Sequence, residues 1–194
     1  MRLHPGPMCF ALLPIALAAQ AQENFSAWST FDVDKTCKRI SAGRAEEDYG
    51  AWRCPGHAGI AVVVSAGDQR TYVSFGPNAE REPAAGETLP GFNDVDKGTI
   101  EWRLDTAGKP FAAIARWNFM RRPVENAHEE KLARGQMLVV TRLPPGPVCH
   151  VGYVDANLNP SANDLARKLA DETARGFACG KDKPVRVGKT QEAR

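Results

Sequence analysis

The stretch GTIEWRLDTAGKPFAAIARWNF, from Gly98 to Phe119, constrains the fold more than any other part of the chain. Turned back through Thr106-Ala107-Gly108-Lys109, it sets Leu104 opposite Phe111, Trp102 opposite Ala113 and Ile100 opposite Ala115, and it continues the same face with Trp117 and Phe119. Side chains alternate between the two faces of a strand, so one face of this hairpin is wholly apolar while Glu101, Arg103, Arg116 and Asn118 take the other. Large rings opposite alanines let two strands share a limited depth of core. The chain is thereby committed to an antiparallel sheet with a buried face, and both tryptophans are expected in that core.

Two further hairpins flank this one. In GIAVVVSAGDQRTYVSFG a two-residue turn at Gly67-Asp68 pairs Val64 with Thr71, Val62 with Val73 and Ile60 with Phe75, which leaves one apolar face. In GQMLVVTRLPPGPVCHVGYVDA the chain turns through Pro144-Pro145-Gly146-Pro147, and large apolar residues fall on both faces, as in a hairpin covered from two sides. A helix then follows, with Asn159 as N-cap, Pro160 at its first position, a stripe of Ala162, Leu165, Ala166, Leu169, Ala170 and Thr173, and a stop at Gly176. The expected fold class is α+β: an antiparallel sheet built from three hairpins, with one C-terminal helix packed on it and two disulfides.

The first residues and the cysteines bear on where such a chain resides. Arg2, an apolar run from Met8 to Leu17 and the triplet Ala19-Gln20-Ala21 predict a secretory signal peptide over 1–21, with Cys9 leaving in it. The run is about half of the roughly 20 residues needed to cross a bilayer, so no stable membrane insertion is expected. Residues 22–180 are expected to form one domain and 181–194 a flexible tail. Cys37, Cys54, Cys149 and Cys179 remain, an even number that allows three pairings in an oxidising compartment. The pairs that close the shorter loops, Cys37 with Cys54 and Cys149 with Cys179, are favoured. The net charge of +2 is spread along the chain without a basic stripe, which argues against a nucleic-acid partner.

Several chemistries can be weighed from spacing. In VCHVGYVD, Cys149 and His150 are adjacent on a strand and point to opposite faces, so they cannot address one reacting atom; Cys149 would share its face with Val151, Tyr153 and Asp155. A zinc site drawing on Cys54, His57, Cys149 and His150 lacks two matched ligand pairs. His128-Glu129-Glu130 is followed by Leu132 where a metalloprotease helix needs a second histidine. In Asp94-Val95-Asp96-Lys97-Gly98 the glycine comes one residue early and a lysine intrudes for an EF-hand calcium loop. Glu101, Asp105 and Asp155 are the carboxylates that a hydrolase would use.

The combination YGAWRCPG, GTIEWRL and QMLVVTRLPPGPVCHVGYVDANLNPSANDLARKLAD resembles a family of small, uncharacterised exported (periplasmic) hypothetical proteins of alphaproteobacteria, over most of the expected mature chain. The resemblance implies a periplasmic address and no particular activity. GIAVVVSAGDQRTYVSFG is also similar, more loosely, to a hairpin of periplasmic lysozyme inhibitors. The expectation is an exported binding protein, periplasmic or secreted, with no cofactor and no catalytic residues, whose partner is a protein or envelope component. Its contact is expected on the 21-residue segment from Pro77 to Lys97, through Leu89 and Phe92, helped by Arg103 and Arg116. The alternatives are a cell-envelope hydrolase acting through carboxylates, and a small metal or calcium binder.

Overall fold

The computed structural model describes residues 24–41, 49–95, 97–121 and 134–190. The expected signal peptide, Asp96 and the His128-Glu129-Glu130 stretch lie outside them.

The described residues start with β1 (Phe25–Asp32), and β2 (Lys38–Ser41), β3 (Gly50–Cys54), β4 (Val62–Gly67) and β5 (Arg70–Phe75) then lie side by side as a four-stranded antiparallel sheet. The short β6 (Asn93–Asp94) leads into β7 (Lys97–Leu104), β8 (Pro110–Met120), β9 (Arg134–Arg142) and β10 (His150–Asp155). Helix α1 (Ala162–Thr173) and a two-residue β11 (Val185–Arg186) follow. The larger sheet has seven strands in the order β1-β7-β8-β9-β10-β11, with β6 pairing with β8. Among the described residues only β11 runs parallel to its neighbour. The fold class is thus α+β with mostly antiparallel sheets and a single C-terminal helix among the described residues.

The seven-stranded sheet is the middle of three layers. On one side Val62, Val64, Val73 and Phe75 of the small sheet meet Ile100, Trp102, Trp117 and Val139, with the Phe75 ring edge-on to Trp102 at 5.6 Å. On the other side Ile114, Leu138, Val140, Val151 and Val154 meet Ala166, Leu169 and Ala170 of α1. This layering is why β9 is apolar on both faces.

The registers agree with the alternation in part. Trp102 faces Ala113 and Ile100 faces Ala115, but Leu104 faces Pro110, because a bulge takes up one residue. Phe111 therefore turns to the helix side, where the Arg175 guanidinium lies 3.5 Å over its ring. In the first hairpin the turn residues are Asp68 and Gln69, one position later than the glycine suggests, and both have positive φ (50° and 57°), the pair that a type I′ turn uses. Val64 then faces Val73 and Val62 faces Phe75. A two-residue change of register keeps every side chain on its face, so the apolar face survives. The helix begins at Ala162, later than Asn159 and Pro160 suggest, and the Asn159 side chain instead donates to the Asp155 and Lys189 carbonyls and accepts from the Lys189 N–H.

The cysteines pair as Cys37–Cys54 and Cys149–Cys179, with Cα atoms 4.2 and 5.8 Å apart. Beyond the second bridge, where a flexible tail was expected from residue 181, β11 pairs with Gly152 and Tyr153, and Asn159 grips Lys189. No helix among the described residues is long and apolar enough to cross a membrane.

Candidate functional site

The segment from Pro77 to Lys97 crosses from the small sheet to the large one, and its polar residues explain how a stretch with three prolines keeps one path. Two short 3₁₀ turns, Ala79–Arg81 and Pro83–Gly86, compact its first half. The Glu82 carboxylate accepts the Val148 N–H at 2.9 Å, the Ala84 N–H donates to the Val148 carbonyl at 3.0 Å, and the Glu87 carboxylate accepts the His150 N–H. The loop thus serves as a partner strand for residues 148–150, satisfying main-chain groups that would otherwise be buried without partners. On the other flank, Arg53 pairs with Glu80 at 2.6 Å and the Thr88 hydroxyl donates to the Thr71 carbonyl. The Asn93 amide oxygen accepts from Thr71 N–H and Thr88 Oγ1, while its NH2 donates to the Leu89 and Gly91 carbonyls.

This geometry separates the four residues expected to bind. Leu89 is 2% exposed and belongs to the core between the sheets, so it has no surface to offer a partner. An isolated leucine among polar neighbours is here the plug that holds the loop down. Phe92 is the opposite case: 51% exposed, it follows Gly91, whose φ of +72° makes the bend, and its carbonyl accepts the Met120 N–H at 2.9 Å. Arg103 is buried, because the polar face of the second hairpin lies under α1. Its guanidinium holds both Asp171 carboxylate oxygens, at 2.9 and 2.7 Å, as well as Ser26 Oγ and the Asn24 carbonyl. Arg116 is exposed and donates to Gln136 Oε1 and Asn163 Oδ1. Phe92 and Arg116 remain available at the surface, and Leu89 and Arg103 do not.

Beneath the loop lies a polar cluster that the alternation of VCHVGYVD conceals. Cys149 faces the helix and His150 the other side, as expected, but a bulge between His150 and Gly152 swings Tyr153 onto the histidine's side, away from Cys149. His150 Nδ1 lies 3.1 Å from Tyr153 Oη and 3.9 Å from Glu87 Oε2. Its ring is fully buried and edge-on to Trp117 at 5.7 Å. Burial pulls the His150 pKa down to about 4, so the imidazole is neutral near pH 7. Burial also raises the Glu87 pKa, against the His150 N–H, which lowers it. Burial first and the Glu87 charge second push the Tyr153 phenol up to about 12, with Arg186 opposing. The His150 Nε2 and Trp117 Nε1 atoms are buried without a hydrogen-bond partner among the described residues.

The residues singled out for other chemistries each have a structural partner. Both disulfides consume the thiolates that a zinc or nucleophilic site would need. Glu101 is held by Arg167 at 2.6 and 3.2 Å, Asp105 accepts the Ala107 and Lys109 N–H groups of its turn, and Asp155 forms a two-point pair with Arg121 at 2.7 and 2.9 Å. Each carboxylate is committed to a different structural task. Asp94 accepts from the Asn118 amide. Comparison with protein-family models, with curated proteins and with solved structures returned no match.

Proposed function

We propose that this is an exported binding protein, acting in an oxidising compartment, that presents a preformed loop surface to a protein of the cell envelope and carries out no catalysis. The observation that supports this reading is the contrast within the loop. Glu82, Glu87, Leu89 and Asn93 fasten it on both flanks, while Phe92 stands out at its bend. An aromatic anchor already held in place loses little freedom on binding, and such anchors carry most of the energy of small interfaces. The two disulfides agree with an address outside the cytoplasm.

The test is retention of a partner from periplasmic extract on immobilised protein, with wild type compared with Phe92→Ser. The variant is expected to lose the partner and keep its thermal midpoint, since the ring is half exposed. Equal retention by both, or no specific retention by the wild type, would overturn the proposal.

A further inference from the structure

We propose that β1 is the contact through which two copies of this chain join, edge to edge, so that their seven-stranded sheets run on as one. The inference is independent of the Phe92 contact. β1 is the terminal strand of the large sheet and pairs with β7 over eight residues without a break in register. At its end, the Asp32 N–H is taken by Thr36 Oγ1 and the Asp32 carbonyl by the Lys35 and Thr36 N–H groups, all away from β7. Main-chain direction alternates along a strand, so the N–H and C=O groups of Ser26, Trp28 and Thr30 also turn away from β7. Among the described residues no main-chain hydrogen bond meets them on that side.

An open edge of this length is normally blunted with lysine, proline or a bulge. From Phe25 to Phe31, β1 has none of these, and the strand's first charge is Asp32. One edge strand of the small sheet differs, since β2 opens with Lys38-Arg39. Two large rings stand exposed on β1, Trp28 at 58% and Phe25 at 47%, beside the exposed Thr30.

The occupant follows from the sequence of the strand, which reads nearly the same in both directions about Trp28. Phe25 matches Phe31, Ser26 matches Thr30, and Ala27 matches Ser29. A two-fold axis at Trp28 would set each residue opposite its chemical equivalent in the second copy, with Trp28 opposite Trp28. The same register makes Ser26 with Thr30, and Trp28 with itself, the hydrogen-bonded pairs, which are the positions whose main-chain groups point outward. Asp32 falls opposite Asn24, so no like charges meet. A strand that is its own complement suits an isologous, closed dimer.

Sedimentation velocity of the purified protein is expected to give twice the chain mass. Amide exchange at Ser26, Trp28 and Thr30 is expected to quicken on dilution, while Ala27 and Ser29, which face β7, stay protected. Trp28→Lys places two ammonium groups on the axis and is expected to halve the mass, with the thermal midpoint kept; Thr30→Lys, also at an exposed position, serves as a second variant. A single-chain mass at the highest soluble concentration would overturn the proposal, including the case in which that monomer binds an added extended peptide. A dimer that survives both lysine variants would also overturn it.

Discussion

His150 is a residue whose cost depends on pH. Its folded pKa of about 4 lies below the ordinary 6.5, so between these values the unfolded chain binds a proton that the native protein does not. The stability that this group supports is complete above pH 6.5 and is lost as the pH falls towards 4, by up to about 3 kcal/mol. Glu87 works in the opposite sense, because a raised folded pKa favours the native state at low pH. Chemical denaturation from pH 7 to 4 is expected to show a steeper loss for wild type than for His150→Gln, and equal slopes would mean that the imidazole is not desolvated. Leu89 and Phe92 offer a second comparison at this scale. Leu89→Ala is expected to cost about 2 to 5 kcal/mol and Phe92→Ala about 1 kcal/mol or less, read from urea midpoints. The sequence does not separate these two, since a single buried leucine in a loop has no periodic partner to announce it.

At the level of elements, what was legible followed from the contrast between side chains. Trp102 and Trp117 alternate with Glu101, Arg103 and Arg116, so the face and most of the register of the second hairpin were readable. Trp102→Ala is expected to cost about 3 to 5 kcal/mol in equilibrium unfolding, since the ring is fully buried and donates to Ser29 Oγ at 2.9 Å. β1 leaves little trace in the sequence because an edge strand is half exposed and, of the inward residues Ala27, Ser29 and Phe31, only the last is large enough to mark a face. Alternation places Arg103 on the polar face of the hairpin but does not tell what covers that face, which is α1. The cluster of His150, Tyr153 and Glu87 was hidden for a related reason: one extra residue in β10 breaks the two-residue period, and the third member comes from a loop 63 residues away. The pairing of the cysteines, in contrast, followed from loop length alone.

For the molecule as a whole, the two bridges do different work: Cys37–Cys54 fastens the paired strands β2 and β3, and the other bridge spans two elements. Cys149–Cys179 links the start of β10 to the segment after α1, and replacing both cysteines by alanine is expected to lower stability by about 3 to 4 kcal/mol, measured against wild type under non-reducing conditions. The first strand is held in a different way. β1 pairs with β7, and Ser26 and Asn24 are bonded through Arg103 and Arg175, the second of them 151 residues along the chain. Arg103 has its carboxylate partner in Asp171 of α1. A ribosome delivers a chain from its N-terminus, and here β1 finds no partner strand until β7 has followed it, while Arg103, which binds Ser26, finds its Asp171 carboxylate only when α1 has emerged. The order of synthesis and the order of assembly are therefore opposed at this edge: the four consecutive strands of the small sheet can pair as they emerge, whereas the β1 edge of the large sheet closes only through non-local contacts, of the kind that slow folding.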